Sequence, residues 1–289
     1  MDSVLTTVFL PVALGIVMLG LGLGLTVADF RRVLVYPKAV LVALACQLLV
    51  LPLACFGLVL AFDLPPALAV GMLLLAASPG GTTANLYSHL FGGNVALNIS
   101  LTAVNSILAV VTLPVIVNLS LGYFADGGTV GLQFDKVLQV FAVVLLPVLL
   151  GMLIRRHRAA FAERMDRPVR ILSAVVLAAV IIGAVINERD NIVEYFLAVG
   201  AVVLLFNVVS LAVGYFVPRA FKVERPEAGA AAFEIGIHNA TLAITIAVTL
   251  LDSTEIAIPA AVYGLVMFVT ATGFGYLLRA AARRRDAVT

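Results

Sequence analysis

The sequence predicts an all-α polytopic membrane protein, with nine transmembrane helices arranged as an inverted repeat in which two discontinuous helices meet. Three observations carry that prediction. Of the 289 residues, 63% are hydrophobic and only 12% charged, with a mean hydropathy of +1.15; a soluble domain would be about half apolar and about a quarter charged. Nearly the whole chain divides into apolar runs of about 20 residues or more, the length that crosses a bilayer. Two of those runs, one in each half, are interrupted by polar and helix-weakening residues, which is the sequence mark of an inverted-repeat transporter.

Charge and Pro/Gly clusters cut the chain at 5–28, 37–61, 66–91, 94–121, 130–156, 166–187, 194–217, 226–250 and 256–280. The first segment carries Asp2 and no early Lys or Arg, so it reads as a retained span and not as a secretory signal. Its GLGLGLT stretch (20–26) has no ionisable companion and reads as a close-packing stripe. The second segment holds a lone Gln47 and both cysteines, Cys46 and Cys55, whose setting suits buried thiols and not a disulfide framework or a metal site.

The third segment contains SPGGTTAN (78–85). Pro79 removes a backbone donor, and Gly80 and Gly81 add backbone freedom, so the helix is expected to break near Ser78–Asn85. Freed backbone groups cannot face lipid and must be buried in protein or line a wet cavity. The oxygens of Ser78, Thr82, Thr83 and Asn85 accompany that break. In the fourth segment Asn98 and Thr102 stand four residues apart, on one helix face. The eighth contains FEIGIHNATLAI (233–244), where an interruption is expected over Glu234–Asn239 around Gly236, mainly because of its polar cluster.

Orientation follows from the basic residues. With the N-terminus outside, 16 of the 18 Lys and Arg residues fall on the cytoplasmic side, leaving only Lys136 and Arg189 outside. The positive-inside rule therefore predicts N-out and C-in, as an odd number of spans requires. Arginine clusters can also bind anionic lipid or nucleic acid, but here they recur at cytoplasmic turns without a separate folded unit. No nucleic-acid partner and no obligate protein partner are expected, and the bilayer is the surrounding medium.

Glu234 is the one acidic residue, of 16, near the middle of an expected span. A bare carboxylate there costs about 2.5–3.5 kcal/mol on insertion scales, so it must meet a partner or a cavity. The basic residues lie at cytoplasmic ends, which leaves a bound cation or a protonated, hydrogen-bonded carboxyl. Hard cations such as Na⁺ take several oxygens, and Glu234, Asn85, Asn98 and Thr102 could supply them. Freed carbonyls would add to such a site, and half-helix N-termini would favour an anionic substrate group.

At these residues the chain resembles the bile acid:sodium symporter family, over nearly its whole length. The likeness runs through GIVMLGLGLGLTVADF (15–30), SPGGTTAN with GGNVALNISLTAVNSILAVVTLP (92–114), LLPVLLGMLIRR (145–156) and FEIGIHNATLAI. It implies a panel domain (1–61 and 130–187) and a core domain (62–129 and 188–289), with the broken helices crossing in the core. It implies one sodium site at Asn85, Asn98, Thr102 and Glu234, where Ala84 has lost an oxygen that the family pattern supplies. It implies a second at Gln47, Glu234, the backbone carbonyls of Ile235 and Ile237, and His238, which stands where the family has a Gln. Thr82, Thr83 and Asn239 would face the substrate carboxylate.

His238 has three open readings: a neutral donor that orients the site, a protonated group in place of a second cation, or a packed helix residue. The expected function is sodium-coupled symport of an organic anion, bile-acid-like or a small carboxylate, across a bacterial cytoplasmic membrane by alternating access. One or two Na⁺ ions would be used, and no organic cofactor. The alternatives are proton or mixed H⁺/Na⁺ coupling through His238, or a membrane sensor that binds without transporting. The chain has no HExxH and no phosphate-binding GxxxxGK[ST] loop, so neither an enzyme nor an ATP-driven pump is expected.

Overall fold

The computed structural model describes residues 10–81, 83–124, 134–165, 168–169, 171–172, 175 and 192–286. Among these, the regular elements are helices. The chain opens with α1 (Leu10–Gly24) and a short α2 (Val27–Arg32), then α3 (Pro37–Ala45), which runs through a π-helical turn at Cys46–Val50 into α4 (Leu51–Ala61). It continues with α5 (Pro66–Ala77), α6 (Thr83–Phe91), α7 (Val95–Phe124) and α8 (Phe134–His157). The last third holds α9 (Ile192–Ala220), α10 (Arg225–Gly236), α11 (Ala240–Thr249) and α12 (Thr254–Asp286). Helices occupy each expected segment except 166–187, which lies largely outside the described residues.

Local chemistry explains the starts. Pro37, Pro66 and Pro226 occupy first-turn positions, where a missing N–H forfeits no intrahelical bond. Asp29 closes α2 on itself: its carboxylate accepts from the Thr26 backbone N–H (2.7 Å) and hydroxyl (2.7 Å), and pairs with Arg32 at 2.8 Å. Pro52 cannot donate to the ladder and would crowd the carbonyl four residues back; the π turn immediately before it relieves that crowding.

Among the described residues, four helices are long and apolar enough to cross a membrane: Pro37–Ala61, Val95–Phe124, Leu197–Ala220 and Thr254–Ala281. Pro66–Ala77 and Ala240–Thr249 are apolar but half as long, as the halves of broken spans should be. Large apolar side chains such as Leu41, Leu53, Leu119 and Val269 point outward, whereas Gln47, Asn98, Asn105, Asn207, Glu234 and His238 are buried. That arrangement inverts a soluble protein and matches a hydrocarbon surround.

Helix α1 packs along α8, and here the glycine stripe meets backbone: a Cβ on Gly22 would overlap the Val148 carbonyl, and one on Gly151 would overlap that of Leu19. Helix α12 lies against α5, α9 and α11; α10 lies against α6, α7 and α9. The second span packs on α5, α9, α10 and α7, so a packed interface crosses the expected boundary at 61/62. Buried hydroxyls off the break, among them Ser100, Ser106, Ser120 and Ser210, bond back to the carbonyl four residues earlier and satisfy themselves within their own helix.

Candidate functional site

The two interruptions meet. The first runs between Ala77 and Thr83, and the second is shorter than expected, between Gly236 and Ala240. Their extended segments pair antiparallel: the Gly81 N–H donates to the Ile237 carbonyl (2.7 Å), and the Asn239 N–H to the Pro79 carbonyl (2.8 Å). Each break thereby satisfies backbone groups that the other has freed, which is why one alone would be costly in an apolar interior. The crossing gathers the N-terminal ends of α6 and α11 with the C-terminal ends of α5 and α10, placing partial positive and partial negative ends together.

Glu234 sits in the last turn of α10, ahead of the break and fully buried. Its Oε2 accepts from the Thr102 hydroxyl at 2.6 Å and its Oε1 from the Asn105 amide nitrogen at 3.2 Å. Thr102 Oγ1 also lies 3.1 Å from the Asn98 carbonyl. A hydroxyl has one proton, and the shorter contact to the carboxylate takes it. A Cβ at position 80 would fall on the Glu234 carboxylate, so any larger residue there would have to displace it.

Of the expected ligands Asn85, Asn98 and Thr102, it is Thr102 that touches this carboxylate; Asn98 stands one turn before it on α7, and Asn85 lies on α6. Asn98 donates to Ser88 Oγ (2.8 Å) and to the Ala230 carbonyl (2.9 Å), tying α7 to both α6 and α10. Its Oδ1, with those of Asn85 and Asn105, is buried without a hydrogen-bond partner among the described residues. Asn105 was not anticipated. Its spacing, three residues past Thr102 and seven past Asn98, places it on the same face and was the signal that could have found it.

Gln47 and His238 form a second group across the crossing. The Gln47 amide nitrogen donates to the carbonyls of Ala76 (3.2 Å) and Ser78 (3.1 Å), and His238 Nδ1 lies 3.1 Å from the same Ser78 carbonyl. A carbonyl only accepts, so Nδ1 carries the hydrogen; in the neutral ring Nε2 is then an acceptor. Gln47 Oε1 and His238 Nε2 are again buried and unpartnered among the described residues. The His238 ring stacks on Phe206 (5.7 Å, 15°) and meets Tyr263 edge-on (5.4 Å). His238 lies in the extended segment and not in a helix, though it is packed between rings as the third reading of it expects.

The carbonyls after Glu234 are differently engaged. The Ile235 carbonyl loses its usual helical donor, because the Asn239 N–H is turned to Pro79. The Ile237 carbonyl accepts from Gly81. Between them, the Gly236 carbonyl is gripped by Asn207 Nδ2 (2.8 Å) and the Tyr263 hydroxyl (2.9 Å), and the Thr270 hydroxyl donates to Asn207 Oδ1. Asn239 caps α11, its Oδ1 accepting from the Leu242 N–H at 3.0 Å; its amide nitrogen is left to donate elsewhere. Thr83 opens α6, and Thr82 lies outside the described residues.

Chemically the crossing holds one carboxylate, bonded by a hydroxyl and an amide nitrogen, together with buried amide oxygens and a loosened carbonyl that are left unanswered among the described residues. Unanswered buried acceptors are destabilising unless a ligand meets them, and hard cations are held by oxygens of these kinds.

Residues 11–195 match the model of the sodium bile acid symporter family. An uncharacterized sodium-dependent transporter of Bacillus subtilis is 28% identical over 89% of this chain and 78% of its own length. A probable chloroplastic sodium/metabolite cotransporter of Oryza sativa is 29% identical over 89% of this chain, which spans 61% of that relative. The human ileal sodium/bile acid cotransporter is 26% identical over 84% of this chain and 70% of its own length.

Proposed function

The chain belongs to the sodium bile acid symporter family, and from that premise we propose that it is a multi-pass, sodium-coupled transporter of an organic anion. The observation that carries this reading is a fully buried Glu234 at the crossing of two broken helices, held by Thr102 and Asn105, with Asn85 and Asn98 as the further ligands the reading assigns. Na⁺ enters as a co-transported substrate. It neutralises the carboxylate and engages oxygens that otherwise have no buried partner. An anionic group then sits by the N-terminal ends of α6 and α11, with Thr82, Thr83 and Asn239 beside it. Gln47, His238 and the carbonyls of Ile235 and Ile237 supply the setting for a second ion.

Alternating access in this reading moves the crossed-helix unit against α1 and α8. The second span travels with the crossed helices, since Gln47 is tied to the end of α5. The substrate is bile-acid-like or a smaller carboxylate, the membrane is a bacterial cytoplasmic one, and the N-terminus faces out. A second reading is favoured by His238 Nε2, a buried and unanswered nitrogen where the family pattern has an amide: a proton there takes the place of the second Na⁺.

The test is thermal stability of the purified protein against NaCl, with KCl as the control. Wild type is expected to gain stability with Na⁺ alone, and Glu234→Gln to lose that gain while staying folded in KCl. No Na⁺-specific gain in the wild type sinks the sodium reading. Uptake of taurocholate and of acetate into proteoliposomes under a Na⁺ gradient then separates transport from sensing: specific binding without accumulation favours a sensor.

A further inference from the structure

We infer that Asn105 is itself a ligand of the cation at Glu234, an inference that rests on the reading of this cluster as a Na⁺ site. Asn105 is buried, with only 3% of its surface exposed, and its amide nitrogen donates to Glu234 Oε1 at 3.2 Å. An ionised carboxylate only accepts, so the nitrogen must face it and the amide oxygen must face elsewhere. That oxygen is buried and has no partner among the described residues. Both ends of one rigid amide therefore belong to the site: one end holds the anchor, and the other offers the cation an oxygen.

Asn207 supplies an internal comparison. It too is a buried asparagine beside the second break, but both ends of its amide are occupied, the nitrogen by the Gly236 carbonyl and the oxygen by Thr270. An asparagine that serves only to hold the fold is satisfied at both ends. Asn105 is satisfied at one. Its place on α7 also fits the need. Ala84, buried in the first turn of α6, offers no side-chain oxygen, whereas Asn98, Thr102 and Asn105 present three oxygen-bearing side chains from one face of α7.

The experiment uses the full chain and reads melting temperature against NaCl, LiCl and CaCl₂, with KCl holding ionic strength. If Asn105 ligates the ion, Asn105→Ala stays folded in KCl and needs roughly tenfold more Na⁺ for half-maximal stabilisation. It also changes the Li⁺-to-Na⁺ preference, because the ligand set has changed. Asn105→Asp keeps an oxygen and discards the donor; it should keep its Na⁺ half-point within about threefold and gain a response to Ca²⁺.

A wild-type response that Asn105→Ala leaves untouched overturns the inference and spares the sodium site. So does an Asn105→Asp that folds but is as insensitive as Asn105→Ala, because then only the donated hydrogen bond matters. Should Asn105→Asp not fold, the Li⁺-to-Na⁺ ratio of Asn105→Ala decides: a changed ratio supports ligation and an unchanged one overturns it. A wild type with no Na⁺ response overturns this inference together with the reading beneath it.

Discussion

Gly80 and Gly81 are adjacent and look interchangeable, yet they do different work. A Cβ at 80 would occupy the space of the Glu234 carboxylate, while one at 81 would sit 3.5 Å from the His238 carbonyl, an ordinary contact. Gly80→Ala should therefore abolish Na⁺-dependent stabilisation, and Gly81→Ala should leave it nearly intact; melting curves in NaCl and KCl would separate them. Asn207→Ala should cost about 1–3 kcal/mol, because it strips a donor from the Gly236 carbonyl and leaves the Thr270 hydroxyl only the backbone carbonyls of Val266 and Met267. Denaturant midpoints in lipid-matched micelles would read it, and no change would mean that Tyr263 alone suffices as donor.

At the scale of elements, the crossing works because each interruption is the other's hydrogen-bond partner, and the helices on either side are set by close backbone approach. Gly22 and Gly151 let α1 and α8 touch through their main chains. Backbone cannot yield as a flexible side chain can, so Gly22→Val should force the pair apart and destabilise by about 1–3 kcal/mol or more. A shift in melting temperature without loss of Na⁺ dependence is expected, since the atoms crowding Gly22 and Gly151 belong to α1 and α8 themselves. Loss of the Na⁺ response in that variant would instead couple the α1–α8 pair to the site.

For the molecule as a whole, coupled transport requires that Na⁺ and anion each strengthen the other's binding by the same factor. With taurocholate as probe, the shift that saturating Na⁺ produces in its dissociation constant should equal the shift that saturating taurocholate produces in that of Na⁺, by about 5-fold to 150-fold. Calorimetric titrations in both orders would test it; equal affinities with and without Na⁺ would leave the two ligands uncoupled.

Composition and patterning by themselves determined the class of molecule, most span boundaries and the two breaks, because apolar length, Pro79 with its glycines and a lone Glu234 act through local chemistry that a bilayer enforces. Resemblance of whole motifs brought out Gln47 and His238. Neither disclosed that the breaks pair with each other through Gly81 and Asn239, that Glu234 stays helical, or that Asn239 caps α11. Asn105 escaped for the same reason. On one helix it is an unremarked polar residue, and only the packing of α7 against α10 sets its amide on a carboxylate 129 positions away in the chain. Which acceptors are left unanswered is a property of that packing and not of any stretch of sequence, since a hydrogen bond between distant residues has no local signature.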